Sequence, residues 1–393
     1  MNSVRVLLGL NDGSEIWTVT NYVLNVSVNL GKNRVLDSFQ PGTASVTFKN
    51  MGREFDPTNT GSAFYGSVLP RATWVFIEIP TLNTIFEGWV DDWSFDYDVS
   101  GESTAILIAT ERTGLFARQY ITSTSFPAET SGDRFVRILQ DSGVAYSNPY
   151  NVTPYVVADG TQMLAADTQC VGKNALDYIN SIEVSEQGSL YTNSAGQLVF
   201  TDASYGPTSD VFLASRLFTD DGTANAYKYV DIDISYSSDM LYNKVVAEAF
   251  DGSQSSVGNS ATSQSTYNIS QFNVDEVLYN VPSQLSNLCN FLLAKYSEPE
   301  YRINNLTVNF RDLTSTQQDN LLDFLGLNSF CRVKFTPNGV GSAIERVCRI
   351  IGIEHQIDVA EHLITFSFES LRSAGLVLDD AEFGKLDTYA LGL

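Results

Sequence analysis

The amino-acid sequence predicts a mainly β fold with α/β insertions, β-rich at both ends. Three observations carry that expectation. Short alternating apolar runs fill residues 1–113, and alternation returns after residue 231. Between them lie two amphipathic helical stretches and a hairpin pattern. Finally, a strand-like run at 85–93 has Gly88 inside it, as a sheet does where a bulge or bend curls it.

Residues 3–9 alternate with Val4, Val6 and Leu8 on one face, and Asn11 to Ser14 reads as a turn. Residues 22–30 alternate through Leu24, Val26 and Val28, and residues 42–48 through Ala44, Val46 and Phe48. Residues 54–60 are dense in turn chemistry. Pro57 fixes its own φ and biases Asp56 towards extended backbone, while Asp and Asn side chains bond nearby main chain. Residues 104–109 end this β-rich stretch, which suits a sandwich or a small barrel.

A crossing follows at Glu111 to Phe116. Residues 131–140 predict a helix capped by Ser131, with Phe135, Ile138 and Leu139 on one face. Residues 146–168 read as polar and irregular. A second helix starts near Lys173 and runs into a hairpin over 189–200 with its tip at Asn193 to Gly196. Residues 243–249 are a strand, and the Gly/Ser-rich 251–264 reads as a flexible loop or tip. Helices are expected at 282–296 and 314–325, and strands at 302–310, 332–336, 347–353 and 363–369.

The run from Phe39 to Trp93 resembles the N-terminal region of minor tail or tail-hub proteins of long-tailed, siphovirus-type bacteriophages. The resemblance is carried by Phe39, Gly42, Phe55, Asp56, Pro57, Asn59, Gly66, Gly88, Trp89 and Asp91. Residues 173–200 resemble the "ALD" helix and hairpin of the same proteins. Leu378, Asp379, Phe383, Gly384, Leu386 and Asp387 resemble their C-terminal signature. The resemblance implies two tail-tube-like antiparallel β-barrels, here 1–113 and 232–372, a hub domain at 114–231 and a C-terminal arm at 373–393. It also implies a homotrimer whose paired barrels form a ring of six-fold appearance around a channel. The partners would be a distal tail protein, a tape-measure protein and tail fibre or other tip proteins. The location would be the virion tail, assembled in the host cytoplasm, and no cofactor is implied. The motif residues are expected to serve structure and interfaces.

The chain has 393 residues, 43% hydrophobic and 18% charged, which is globular and not disordered. Its net charge of −23 disfavours nucleic-acid and anionic-membrane binding. Such acidity is either general solubility or the wall of a conduit that lets DNA pass without sticking, since phosphate contacts dominate DNA affinity. Cys170, Cys289, Cys331 and Cys348 sit among apolar residues and read as buried thiols. No signal peptide or membrane span is legible.

Chemistry is sparse. His355 and His362 have no ligand spacing around them. The densest acid cluster is Asp91, Asp92, Asp96 and Asp98; paired carboxylates suit a glycosidase, but the alternating Asp92, Ser94, Asp96 and Asp98 read as one solvated strand face opposite Trp93, Phe95, Tyr97 and Val99. Asp220, Asp221, Asp231 and Asp233 do not form a Ca²⁺ loop. The expectation is a non-enzymatic tail-tip hub. The alternatives are a carbohydrate-binding adhesin using exposed aromatics, or a distal tail protein with one barrel per chain.

Overall fold

A computed structural model describes residues 4–10, 16–80, 83–99, 101–148, 151–206 and 215–371. The first β unit holds β1 (Arg5–Leu10), β2 (Ile16–Thr18), β3 (Val23–Gly31), β4 (Thr43–Lys49), β5 (Thr73–Glu78), β6 (Thr84–Asp96) and β7 (Thr104–Glu111). A middle stretch follows: β8 (Glu129–Thr130), α1 (Ser131–Leu139), β9 (Tyr155–Val157), β10 (Met163–Leu164), α2 (Ala175–Glu186), β11 (Ser189–Thr192) and β12 (Leu198–Thr201). Then come β13 (Leu217–Thr219), β14 (Asp231–Tyr236), β15 (Lys244–Ala249), β16 (Ser255–Asn259), α3 (Ala261–Tyr267), β17 (Gln271–Val277) and α4 (Pro282–Tyr296). The chain closes with β18 (Tyr301–Asn309), α5 (Ser315–Phe324), β19 (Phe330–Phe335), β20 (Ile344–Ile357) and β21 (His362–Ser370).

The fold class is the expected one, mainly β with antiparallel sheets and a helix-plus-hairpin unit. The two β-rich ends are not separate, however. Among the described residues, thirteen strands form one sheet in the order β14-β18-β21-β20-β3-β4-β7-β6-β5-β1-β2, with β19 also on β20 and β13 on β19. The fusion is the antiparallel ladder between β3 and β20, in which Val28 opposes His355. No ladder among the described residues closes either unit on itself.

Within that sheet one strand order occurs twice. The first unit runs β3-β4-β7-β6-β5 and the second β14-β18-β21-β20-β19, with every neighbour antiparallel. The likeness reaches details. Each unit has one long strand, β6 with 13 residues and β20 with 14. Each long strand carries one bulge against its hairpin partner, between Val90 and Asp92 and between Ile350 and Gly352. A left-handed residue, Arg71 (φ 63°) or Asn328 (φ 63°), donates its backbone N–H to the carbonyl just before each bulge, at 2.6 Å to Val90 and 2.8 Å to Ile350. No residue repeat betrays this duplication; Trp89 and Arg349 occupy equivalent places.

Two apolar cores result. The first runs continuously under both β units, from Val26, Val46 and Phe55 to Val308, Ile364 and Phe366. The second joins the middle stretch to residues 244–296: Phe135, Ile179 and Phe200 share it with Val245, Leu288 and Leu292. Phe39, in the motif region of the first unit, belongs to this second core beside Phe116. The linker before β4 therefore ties the units together.

Several local expectations change. Leu24 is exposed, because a bulge between Val23 and Asn25 shifts the alternation and puts Val23 inward with Val26 and Val28. The α1 cap is Thr130, whose hydroxyl accepts from the Asp133 N–H at 3.2 Å. Ser131 instead donates to Glu186 at 2.6 Å. Residues 146–168 contain β9 and β10. The Gly/Ser-rich 251–264 holds β16 and most of α3, anchored by Ser263, which donates to the Ser297 carbonyl at 2.5 Å. α4 starts on Pro282 as a helix should, and Thr314 forms a reciprocal capping box with Gln317 ahead of α5. Leu378, Asp379, Phe383, Gly384, Leu386 and Asp387 lie outside the described residues, as does the turn at Asn11 to Ser14.

Candidate functional site

Alternation gives the fused sheet two faces. One covers the first core. The other is mostly polar across eight strands, with Ile106, Ile108 and Leu363 among its apolar members, and the ladders trace it residue by residue. Asp92, Ser94 and Asp96 on β6 oppose Ile108, Ile106 and Thr104 on β7. These continue to Ser45 and Thr47 on β4, then to Ser27 and Asn25 on β3. The seam carries the row on, Ser27 to Gln356 and Asn29 to Glu354. Glu354 opposes Thr365, Thr365 opposes Thr307, and Thr307 opposes Asp231; Ser367, Asn305 and Asp233 make the parallel row.

Hydroxyls and amides on this face bond one another. Gln356 donates to Ser27 Oγ at 3.0 Å and to Glu354 Oε1 at 2.7 Å, and Ser367 donates to Asn305 Oδ1 at 2.9 Å. Cations in these ladders are few: Lys49 at the end of β4, Arg302 near the start of β18, and Arg349 on β20, which is neutralised by the Glu369 carboxylate opposite it. The face is therefore neutral to acidic. Asp92 and Asp96 were legible as solvated strand residues, while Asp231 and Asp233 stood out only as acids without a Ca²⁺ loop. What joins them is pairing between strands up to about three hundred residues apart, which no local pattern contains.

The motif residues scatter around this face. Phe55 plugs the opposite, apolar side: its ring stacks on Phe48 (4.6 Å between centroids), Phe64 (5.3 Å) and Trp93 (5.5 Å). Asp56 folds the loop. It accepts from the Thr58 N–H at 2.8 Å, the Arg53 guanidinium at 2.6 Å and the Tyr97 hydroxyl at 2.7 Å. These donors hold its carboxyl well below the usual carboxylate range, the Thr58 hydroxyl first among them. Asn59 donates to the Arg53 carbonyl at 2.9 Å, and exposed Pro57 starts the turn. Gly66 adopts φ +82° in open space.

Gly88 sits where β6 passes from β5 to β7, and a Cβ there would meet the Thr110 carbonyl oxygen at 2.4 Å. Trp89 packs on Trp74 at 4.7 Å with the Arg112 guanidinium 5.2 Å from its centroid. Asp91 is the bulged residue and pairs with Arg71 at 3.2 Å. The Gly42 N–H donates to Glu111 Oε2 at 2.8 Å. Burial pushes the Glu111 carboxyl up to about 7, with Glu87 adding to the shift.

Other buried groups serve packing. Arg134 is fully enclosed and donates to Glu129 (2.6 Å), Tyr178 (2.8 Å) and the carbonyls of Pro127 (2.6 Å) and Ala165 (2.9 Å). His355 Nδ1 and His362 Nε2 lie 3.1 Å apart in the first core. The four cysteines are buried and free, Cys331 and Cys348 facing each other across β19 and β20. Among the described residues no group of three or more His, Cys, Asp or Glu is arranged to hold a metal ion. No described helix is long and apolar enough to cross a membrane.

No known family profile matches the chain, and no curated protein matches it in sequence. Solved structures do match its shape. A tail protein from Neisseria meningitidis MC58 superposes with a TM-score of 0.60 at 13% identity, over 94% of this chain and 97% of that one. The 43 kDa tail protein of prophage MuSo2 from Shewanella oneidensis gives 0.59 at 14% identity, over 93% and 98%. A type VI secretion component from E. coli, reported to be similar in structure to the T4 bacteriophage tail proteins gp27 and gp5, gives 0.50 at 10% identity, over 90% and 74%. At these identities what is shared is architecture, and this chain has the fold of phage tail proteins along nearly its whole length.

Proposed function

We propose that this chain is a structural hub of a phage tail tip. Three copies, each giving two tube-like units, close into a ring of six-fold appearance that joins the tail tube and distal ring to the tip. The observation that carries the reading is the strand order used twice in one chain. One ring of three such chains offers six similar units to a six-fold tube and three identical surfaces to a three-fold tip. The polar sheet face supports a channel wall. Phosphate binding needs clustered cations, and this face keeps Lys49 and Arg302 to its rims and Arg349 paired with Glu369 while presenting Asp92, Asp96, Asp231, Asp233 and Glu354. DNA would pass such a wall without being held.

The doubled unit argues against a distal tail protein with one barrel per chain. The domain limits 1–113, 114–231 and 232–372 remain a proposal, with β13 and residues 244–296 as the stretches that cross them. Imaging of the purified protein tests the reading. Particles of three-chain mass with six similar lobes around a hole are expected. A monomer, or a particle with two-fold symmetry, would overturn it.

A further inference from the structure

We infer that successive copies join edge to edge through β14 of one copy and the distal half of β6 of the next, in the register by which β3 meets β20 inside each chain. The inference rests on the ring reading and gives it an interface. In the second unit the long strand is covered along both halves. The proximal half of β20 pairs with β19, and its distal half, from Gly352 to Ile357, pairs with β3. In the first unit the proximal half of β6 pairs with β5, while from Val90 to Asp96 the ladders among the described residues lie on the β7 side alone. The strand equivalent to β3 is β14, and its ladder among the described residues is with β18 alone. The two open edges are thus the two that the duplicated order covers at the seam. Open strand edges are templates for pairing.

Side chains fit this occupant. Val26, Val28, Ile353 and His355, at the seam, are buried. Their equivalents Ile232, Ile234, Trp93 and Phe95 are only half-buried, and Tyr97 and Tyr236 beside them are 49% and 67% exposed. Transposing the seam register, anchored on the two matching bulges, sets Ile234 opposite Phe95, Ile232 opposite Tyr97 and Ser235 opposite Ser94. It also sets Asp233 opposite Asp96, where the seam has the Ser27–Gln356 hydrogen bond of 3.0 Å. Facing like charges weaken a ladder. The joint between copies is therefore weaker than the seam within a chain, and salt strengthens it.

The test uses the full chain carrying Ser94→Cys and Ser235→Cys. The native thiols are buried, and directly opposed residues lie within disulfide reach, about 4.5–5.5 Å between Cα atoms. Mild oxidation should give covalent oligomers in at least about ten-fold excess over either single variant, since only cross-strand geometry favours the bond. Asp233→Asn should tighten association by about 2–5-fold per joint. Oligomers that form without cross-linking, and that Asp233→Asn leaves unchanged, would overturn this pairing while the ring reading stands. A chain that stays monomeric in sedimentation at its highest soluble concentration and in high salt would overturn both.

Discussion

Replacing Glu111 by glutamine should stabilise the protein in alkaline solution and not in acid. The Glu111 carboxyl is buried at the end of β7, where it accepts from the Gly42 N–H at 2.8 Å and the Thr192 hydroxyl at 3.2 Å. Glu87, itself shifted up by burial, and Arg112 flank it. Its pKa stands at about 7 against an ordinary 4.5. The folded state therefore keeps a proton that the unfolded chain gives up between those values, so stability falls as pH rises from 4.5 to 7 and is level beyond. The loss is about 3 kcal/mol. Glutamine removes the charge and keeps an acceptor oxygen, forfeiting about 1 kcal/mol of hydrogen bonding. The variant should gain about 2 kcal/mol at pH 8.5 and nothing, or a small loss, at pH 5. Urea unfolding of both proteins at the two pH values measures this. An identical difference at both would refute the assignment of the buried charge.

Phe55→Ala empties the middle of the Phe48, Phe64 and Trp93 stack and should lose about 3–5 kcal/mol by the same urea assay. Gly88→Ala drives a methyl against the Thr110 carbonyl between two ladders, so its thermal midpoint should drop by several degrees while Gly66→Ala, in open space, shows only the milder strain of its positive φ. The four cysteines should resist a thiol reagent in the native state and all react in urea, read by mass. Asp92→Lys with Asp96→Lys should turn the polar face into one that retards duplex DNA in a low-salt gel, an effect lost as salt rises.

Much of the fold was legible because strands advertise themselves locally. Val4, Val6 and Leu8, or Ala44, Val46 and Phe48, alternate cleanly and are buried. Pro282 and Thr314 mark helix starts by chemistry that needs no tertiary context. The bulge at Leu24 was invisible, since one extra residue leaves composition unchanged while reversing which side chains point inward. Residues 251–264 read as a loop because Ser and Gly have weak propensities, yet Asn243 and Ser297 supply the partners that order them. The candidate site was least legible. Gly88 marks a close approach to the Thr110 carbonyl, with the bulge itself falling at Asp91, but the continuous polar face depends on β3 meeting β20, and the duplicated order survives in pairing and backbone conformation where the side chains have diverged.

The histidine pair at the seam has a consequence of its own. Burial holds the His355 imidazole down at about 4 and His362 lower still, so both stay neutral where an unfolded chain would take up protons. Their contribution is intact above 6.5 and drains away as the solution is acidified towards 4. Acid therefore does not merely soften the joint between the halves; it makes unfolding a proton sink. Glu111 pulls the other way over an overlapping range and offsets part of that loss, so two imidazoles and one carboxyl, all buried, set an acid limit to the fold's durability and leave it level above neutrality.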